Sequence, residues 1–411
     1  MQILSVLVLM IVTLFTTPAD AYEVWLADQS DTGKENGGYL YIYDGAQLAA
    51  DPSGAKPAVT MDLSGEVNKL CEEATKKPVR RPHMLFFTKD QSHVILSFLS
   101  GHVLFMDAAT KKPEACLSMG KNVHAAWPTP DQKMALAANM AEKKLIRIWT
   151  DYTNHKFTFD ESKDVMSLGP MESPERPDNA PVCPITENSS KFAFITLRGG
   201  GLIVADATET PMKVLATLDN KQVHPAGCGG IQVGNTMYIN SGGGWPVDKF
   251  PSSASLAYDV YAVSFGNLPK SVDAKLITSR DGKTADSHGM AAVGSYVWSG
   301  DRAGNNIEVI DSANNTSVGT IDVAGKVSDD PAPDLMDAAP DGSYVFVALR
   351  GPSPLTGNDK AVNNAVGSTP GVGVVKVTGG GKGGELIGVA RVSNMKDGKE
   401  TADPHGIAVR K

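Results

Sequence analysis

A segment of about 40 residues recurs along this chain, and the recurrence limits the folds that the chain can adopt. Each copy has the pattern of a short strand, a turn, a strand, a turn, a strand that often ends in Asp, and a final strand. One copy starts HMLFFTKDQSHVILSFLSGHVLFMD at His83, and another starts HGMAAVGSYVWSGDRAGNNIEVID at His288. This pattern predicts a series of four-stranded antiparallel sheets, each of which buries its apolar faces against its neighbours.

The two ends of the chain complete each other in this scheme. The last copy begins at His405 and holds one strand, GIAV, whereas the first residues after Ala21 supply three strands, YEVWLADQ, GYLYIYDG and PAVTMDLSG. Pairing these strands would close the series into a ring and remove the exposed sheet edges. The sequence therefore predicts an all-β fold, in which residues 22–411 form a single seven-bladed β-propeller domain closed by N-terminal strands that pair with the C-terminal strand.

The first 21 residues have a different character from the repeats. An apolar run from Ile3 to Phe15 precedes Ala19-Asp20-Ala21, which fits a signal-peptide cleavage site. Met1-Gln2 carries no basic residue, so an uncleaved anchor is the alternative. We expect residues 1–21 to be a signal peptide, the protein to be periplasmic or secreted, and no membrane span to remain after cleavage.

Charge and cysteine content narrow the partners. A net charge of −8 and a pI of about 5.5 argue against nucleic acid, because phosphate binding requires a basic surface. We expect a small molecule or a metal as ligand, with a periplasmic redox protein as a possible partner. Four cysteines, Cys71, Cys116, Cys183 and Cys228, allow three disulfide pairings in an exported protein, and the sequence does not choose among them.

Metal-ligating residues recur at the start of the first strand of each copy, which is the innermost strand of a propeller blade. Aligning the copies gives His83, His124, Cys183, His224, His288, Asp334 and His405 in one column. Imidazole, thiolate and carboxylate are the usual ligands of transition metals. The column predicts a transition metal in the central channel, with copper favoured in an oxidising compartment and zinc or iron as alternatives. Otherwise these histidines bond the backbone of a neighbouring blade or line a wet channel, and a disulfide with Cys228 would remove Cys183 from the set.

Further carboxylates lie near this column. Asp286 and Asp403 precede a column histidine by two residues, and Asp337 lies close to Asp334. We expect these three carboxylates to form a second shell behind the ligands, with Asp337 also a candidate acid or base; the alternatives are turn caps and salt-bridged loop residues.

Arginines recur at the end of the second strand of three copies, at Arg198, Arg302 and Arg350. Three guanidinium groups near one channel mouth predict binding of an anion, whereas the alternative is that they bridge neighbouring blades. The histidines outside the column, His93, His102 and His155, fall on outer strands or turns and are expected to be structural.

Some repeats resemble those of a known superfamily. APDGSYVFVALRG, DPHGIAV and NNIEVID are similar to the YVTN-type repeats of seven-bladed propellers, a superfamily that includes amine dehydrogenase heavy subunits, lactonases and the propeller of nitrous oxide reductase. The resemblance covers residues 22–411. In nitrous oxide reductase, histidines of the propeller hold a copper cluster, so the resemblance implies that the five column histidines are ligands, completed or tuned by Cys183 or Asp334. A cupredoxin domain is missing here, and the nitrous oxide reaction is not implied.

These observations predict an exported propeller that binds a transition metal in its channel, for redox chemistry on a small molecule or for metal handling. The alternative is a non-catalytic propeller that serves as a scaffold for protein–protein interaction. A lactonase-like hydrolase is disfavoured because the column contains few carboxylates. The sequence has no catalytic triad, phosphate loop, CxxCH or HExxH motif, so whether the protein is an enzyme is left open.

Overall fold

A computed structural model describes residues 21–225, 227–242, 257–281, 285–359 and 363–411. The predicted signal peptide, apart from Ala21, lies outside the described residues. Seven sheets follow one another along the chain, and each is a blade whose strands are antiparallel. No helix in the described ranges is long and apolar enough to cross a membrane.

Each blade runs outward from the central axis through four strands. Blade 1 contains Pro404–Arg410, Glu23–Asp28, Tyr39–Asp44 and Val59–Asp62; blade 2 contains Pro82–Phe87, His93–Phe98, His102–Asp107 and Pro113–Ser118; blade 3 contains Val123–Pro128, Met134–Asn139, Lys144–Asp151 and Lys156–Thr158, with Val165–Ser167 also paired to its third strand; blade 4 contains Pro181–Thr186, Phe192–Leu197, Leu202–Asp206 and Lys213–Leu218.

The remaining blades follow the same order. Blade 5 contains Gly230–Val233, Thr236–Gly242, Ala257–Ser264 and Asp273–Asp281; blade 6 contains Ser287–Val293, Tyr296–Asp301, Asn306–Asp311 and Thr316–Asp322; blade 7 contains Pro333–Ala338, Tyr344–Leu349, Gly371–Thr378 and Gly383–Arg391. Two short hairpins pair Asn358–Asp359 with Asn363–Asn364 and Met395–Lys396 with Lys399–Glu400. The helices are Gly45–Ala50 and Glu66–Thr75, with 3-10 turns at Gly169–Met171 and Gly379–Gly381.

The chain ends pair as the sequence predicts. In blade 1 the inner strand Pro404–Arg410 lies antiparallel to Glu23–Asp28, with Leu26 opposite Ile407. The predicted seven-bladed β-propeller and its closure are therefore confirmed. Closure gives the strands at both chain ends a partner on the side that a linear array would leave open.

Apolar side chains from neighbouring blades fill the spaces between the sheets. Trp25 of blade 1 packs in one cluster with Leu96 and Phe98 of blade 2, and all three are essentially buried. Burying a large apolar side chain stabilises a fold by about 1.5–3 kcal/mol. These three residues therefore stabilise the contact between blades 1 and 2. The strands therefore need apolar residues on both faces, as the sequence has.

One disulfide fastens a helix to the outside of this core. Cys71, in the helix Glu66–Thr75, is bonded to Cys116 in the outer strand of blade 2, with an S–S distance of 2.04 Å. Of the three pairings that the sequence allows, this one is formed. Cys183 and Cys228 are free, buried thiols.

The inner strands share an irregularity near their first residues. In six of the seven blades the pairing of the inner strand with its neighbour changes register there, as between Pro82 and Leu85 in blade 2 or between Ser287 and Met290 in blade 6. Such a bulge places an extra residue in the strand and redirects its side chain. The bulges lie at six residues of the predicted column, namely four histidines, Cys183 and Asp334.

Candidate metal centre

Four imidazoles meet at the centre of the ring. The rings of His83 and His405 stack with centroids 3.8 Å apart, and the ring of His124 lies edge-on to His83 at 4.4 Å. His288 joins from the other side, with its Nε2 3.3 Å from Nε2 of His405. These residues come from blades 1, 2, 3 and 6, so the propeller geometry brings together side chains that are far apart in sequence.

Two thiols continue this group. The Sγ atoms of Cys183 and Cys228 are 3.9 Å apart, and Sγ of Cys228 is also 3.9 Å from Nε2 of His124. Two sets of possible ligand atoms, each within 4.8 Å of one another, share Cys228: the first adds His124 and Cys183, and the second adds His288 and His405. The thioether of Met84 lies 3.9 Å from Sγ of Cys183, which adds a third sulfur.

Asp334 completes the group from blade 7. Its Oδ1 lies 3.1 Å from Nε2 of His288 and 3.7 Å from Nε2 of His405. We call the seven residues, one from each blade, the hub cluster: His83, His124, Cys183, Cys228, His288, Asp334 and His405. The cluster is buried except at His124, which is partly exposed.

The structure corrects the sequence alignment in blade 5. His224 lies outside the hub cluster: its ring is 42% exposed and its Nδ1 bonds Asp259 at 2.8 Å. The hydrogen bond from the backbone N–H of Cys228 to Asn240 matches those from Met84 to Ser97 and from Cys183 to Thr196. By this register the residue of blade 5 that matches His83 is Gly227, and the next one, Cys228, supplies the thiol.

By the same register, Cys183 lies one position later in the inner strand of blade 4 than His83 does in that of blade 2. Val182 takes the place of His83 in blade 4, and Cys183 takes the place of Met84. Its thiol still reaches the hub cluster. A signal in the sequence could have located both cysteines, because Asp90, Asp131 and Asp341 follow His83, His124 and Asp334 at one fixed spacing, in the first hairpin turn. Counting back from the turn of blade 5 leads to Gly227 and not to His224.

Hydrogen bonds orient two of the imidazoles. Nδ1 of His83 lies 2.8 Å from Oε1 of Gln29, and Nδ1 of His405 lies 3.0 Å from the backbone oxygen of His83. Because these partners only accept, each Nδ1 carries the proton and each Nε2 keeps a lone pair directed at the cluster. Gln29 was not singled out in the sequence, since it lies far from the column in chain order.

Several ring nitrogens of the cluster lack partners. Among the described residues, Nε2 of His83, Nδ1 of His124 and Nδ1 of His288 have no hydrogen bond. An unsatisfied buried polar atom costs about 1–3 kcal/mol. Of the three, Nε2 of His83 is directed at the cluster, and its lone pair fits a site for an ion.

Burial sets the protonation states. Burial lowers the pKa of His83 and of His288 well below the ordinary value, and it lowers the pKa of His405 to about 3. These imidazoles are neutral at pH 7, which is the form that binds metals. Burial also raises the pKa of the Cys228 thiol, helped by Cys183, so binding of an ion to its sulfur would release a proton.

Arginines and carboxylates surround the cluster. Nη1 of Arg350 lies 2.6 Å from Oδ2 of Asp334, and Nη1 of Arg302 lies 3.3 Å from the same oxygen. Burial alone would raise the pKa of Asp334, but His288, His405 and the two guanidinium groups hold it well below its ordinary value. Asp334 is therefore ionised and shared between imidazoles and arginines.

The two aspartates predicted to support the histidines contact arginines in the structure. Asp286 accepts from Nη2 of Arg302 at 2.8 Å, and Asp403 accepts from Nε of Arg350 at 2.6 Å. Burial raises the pKa of Asp286 to about 7 in spite of Arg302, and it also raises the pKa of Asp403. These carboxylates act on the cluster through the arginines that hold Asp334.

The other predicted residues have backbone or ion-pair partners. Asp337 accepts the backbone N–H of Val409 at 2.8 Å, which ties the inner strands of blades 7 and 1, and burial raises its pKa to about 6. Arg198 bonds Asp178 at 2.5 Å. Since Arg198, Arg302 and Arg350 all contact carboxylates, an external anion would have to compete with those carboxylates for the guanidinium groups.

Polar side chains on the second strands join consecutive blades beside the cluster. Ser97 of blade 2 donates to the backbone oxygen of His124 at 3.0 Å, Thr196 of blade 4 donates to that of Gly227 at 2.7 Å, and Asn240 of blade 5 donates to that of His288. The blades approach closely here: a Cβ on Gly406 would lie 2.6 Å from the backbone oxygen of His83. Glycine is therefore required after His405.

An axial cavity of about 480 Å³ lies next to the hub cluster. Its lining includes Leu85, Met290, Met336 and Ile407, which follow His83, His288, Asp334 and His405 by two residues on the inner strands. A stacked pair, Phe86 and Trp127, with centroids 4.2 Å apart, forms part of the wall. A small molecule could approach the cluster from this side, past apolar side chains.

Comparison with known proteins supports the fold. No family model and no curated protein matches the chain. A solved structure of a protein from Lactobacillus plantarum aligns with a TM-score of 0.61 at 10% identity, covering 95% of this chain and 100% of that one. The fold is a seven-bladed β-propeller.

Weaker structural matches name proteins of several kinds. Dihydro-heme d1 dehydrogenase NirN, in complex with DHE, aligns with a TM-score of 0.49 at 12% identity over 94% of this chain and 74% of that one. Hydrazine synthase from Kuenenia stuttgartiensis aligns with a TM-score of 0.40 at 13% identity over 72% and 96%. At these identities a match bears on the fold alone.

Proposed function

We propose that the hub cluster binds a transition metal, copper first, and that the protein uses it for redox chemistry on a small molecule or for metal handling. The observation that carries the proposal is the meeting of four imidazoles and two thiols, each from a different blade, in a buried volume where several ring nitrogens have no hydrogen-bond partner in the described part of the chain. Neutral imidazoles and thiols are the donors that transition metals take in proteins.

The donor set favours copper over zinc and iron. Cys183, Cys228 and the thioether of Met84 contribute sulfur, and the remaining donors are imidazoles. Soft sulfur donors favour Cu(I), whereas a thioether is an unusual ligand for zinc. Carboxylate supplies one donor, Asp334, which is already bound to arginine.

The charges around the cluster suit a cation. Asp286, Asp334 and Asp403 are three buried carboxylates, and Arg302 and Arg350 are two buried guanidinium groups. With all five ionised, one negative charge is in excess, and burial raises the pKa of Asp286 to about 7. A bound cation would offset that charge and favour the ionised carboxylate.

Export is part of the same proposal. The leader-like residues 1–21 point to secretion, and the disulfide between Cys71 and Cys116 fits an oxidising compartment such as the periplasm. Redox use of a buried metal would also require an electron-exchanging partner protein, which we place in the same compartment.

Metal analysis of the full chain tests the proposal. The protein should be purified without chelator, reconstituted with Cu(I) under reducing conditions, and its bound metal measured by mass spectrometry and by competition with a coloured Cu(I) chelator. We expect at least about one equivalent of copper. Less than about 0.1 equivalent of any transition metal after reconstitution would exclude the proposed function.

A matched pair of histidine variants ties the binding to the hub cluster. His288→Asn removes a candidate ligand, whereas His102→Asn alters a buried histidine of blade 2 whose two nitrogens bond Thr75 and Ser100. Loss of even an outer-shell partner costs about 10- to 100-fold in metal affinity, so His288→Asn should weaken copper binding by at least that factor while His102→Asn leaves it unchanged. Equal affinities in the two variants would place the copper elsewhere.

A further inference from the structure

A second group of metal-ligating residues lies at the joint between blades 2 and 3. It consists of His93, Glu114 and His155, which we call the outer triad. His93 begins the second strand of blade 2, Glu114 lies in its outer strand, and His155 lies in the turn between the last two strands of blade 3. The pairing of Phe87 with Val94 and of Pro82 with Phe98 puts His93 at the end of the blade opposite His83, so the outer triad is separate from the hub cluster.

The ligand atoms of the outer triad lie close enough together to share one ion. Nε2 of His93 lies 3.1 Å from Oε2 of Glu114, and Nδ1 of His155 lies 2.9 Å from Oε1 of the same carboxylate. All three ligand atoms lie within 4.8 Å of one another. Ligands at about 2.0–2.2 Å from a zinc ion in tetrahedral geometry are themselves about 3.3–3.6 Å apart, so small movements of these side chains would let them hold one ion.

Hydrogen bonding does not account for the contact between His93 and Glu114. Nε2 of His93 and Oε2 of Glu114 are both buried, yet neither has a hydrogen-bond partner among the residues that the structure describes, because the two atoms approach without the alignment that a hydrogen bond requires. The imidazole of His93 is more than nine-tenths buried. An unpartnered, buried ring nitrogen that points at a carboxylate is an arrangement that a shared cation would explain.

The surroundings hold the imidazole of His93 in place. Its Nδ1 lies 2.8 Å from Oγ of Ser92, which leaves Nε2 as the nitrogen that faces the triad. The ring of Tyr152, from blade 3, lies 4.6 Å from the ring of His93 and packs on Phe105 and Phe157. His155 is 62% exposed, so an ion could reach the outer triad from solvent.

We propose that the outer triad is a zinc-type site that joins blades 2 and 3. Two imidazoles and one carboxylate from the protein, with water in a fourth position, form a common zinc ligand set. The donors contain no sulfur, which distinguishes this site from the hub cluster and favours Zn²⁺ over Cu(I). Because the ligands come from two blades, the bound ion stabilises their joint.

Titration of the full chain with Zn²⁺, and with Co²⁺ as its coloured substitute, tests this site. His155→Ala removes an exposed ligand and should not affect folding, and Thr153→Ala in the same exposed turn is the matched control. We expect wild type and Thr153→Ala to bind one equivalent of Zn²⁺ at the outer triad, with an affinity at least about tenfold higher than that of His155→Ala. Zn²⁺ should also raise the unfolding temperature of wild type more than that of His155→Ala.

To exclude a contribution from binding at the hub cluster, the titration is repeated in the His288→Asn background, where the outer triad should still bind Zn²⁺. Glu114→Gln should weaken binding as His155→Ala does. Zn²⁺ affinities that agree within about twofold between His155→Ala and Thr153→Ala would overturn the proposal and leave the outer triad as ion pairs of two histidines with one carboxylate.

Discussion

Replacing Arg350 by methionine should destabilise the protein by several kcal/mol. Its side chain is fully buried, with Nε 2.6 Å from Asp403, Nη1 2.6 Å from Asp334 and Nη2 2.8 Å from the backbone oxygen of Thr356. Methionine fills similar space but carries neither charge nor donors, so two buried carboxylates lose their partner. Removing one member of a buried ion pair costs about 3–5 kcal/mol, and we expect a loss in this range or above it.

The measurement is the free energy of unfolding in guanidinium chloride, monitored by tryptophan fluorescence, for the full chain at pH 7. Arg80→Met is the matched control, because Arg80 also pairs with an aspartate, Asp31, but is 48% exposed. Exposed ion pairs contribute about 0–1 kcal/mol, and the control should lose no more than that. Adding Asp403→Asn to Arg350→Met should recover part of the loss by removing one stranded charge.

The result that would refute this reasoning is a loss for Arg350→Met within about 1 kcal/mol of the loss for Arg80→Met. Arg350 would then be energetically free to bind an external anion, as its position in the sequence first indicated. A large loss that the second substitution partly repairs would instead identify Arg350 as a structural bridge between blades 7 and 1.

Two further predictions concern stability. Burial raises the pKa of Asp28 to about 7, so the stability that its neutral form provides below its ordinary pKa is lost as pH rises towards 7. The stability of Asp28→Asn relative to wild type should therefore increase by about 3 kcal/mol between pH 5 and pH 8. Urea unfolding that gave the same stability difference between the two proteins at both pH values would contradict this. Replacing Cys71 and Cys116 by alanine opens a loop of sequence separation 45, which by chain entropy costs about 4 kcal/mol. Calorimetry should find that the variant unfolds at a clearly lower temperature than wild type under oxidising conditions and at the same temperature under reducing conditions. Equal unfolding temperatures under oxidising conditions would show that the disulfide does not stabilise the protein.

The fold could be predicted because its signals are local and repeated. Each blade carries its own alternating strands and Asp-containing turns, as around Asp90 and Asp341, and the single strand at His405 requires a partner at the other chain end. Seven repetitions of one weak pattern make a strong one. The approach of four column histidines could also be predicted, because equivalent positions in a ring necessarily face one axis.

The details of the site could not be predicted because they depend on contacts between distant residues. The larger alignment error, His224, arose where an extra turn precedes a short inner strand, so that a nearby histidine was aligned in place of Gly227 and Cys228, whereas Cys183 was misaligned by a single position. Gln29 bonds His83, and Arg302 bonds Asp334. The two members of each pair lie far apart in the chain, and no spacing in the sequence indicates that they meet. The approach of His93, Glu114 and His155 to one another could not be predicted for the same reason, because these residues belong to two blades.

The closure in blade 1 has a consequence for the order of events during synthesis. His405 and the strand that closes the ring leave the ribosome after the inner strands of the other six blades, and until then the ring is open and the hub cluster lacks one imidazole. An ion captured before that moment would be held by an incomplete set. A chain cut before Pro404 would therefore lose the closing strand and the fourth imidazole together, so that closure of the ring and completion of the hub cluster depend on a single strand.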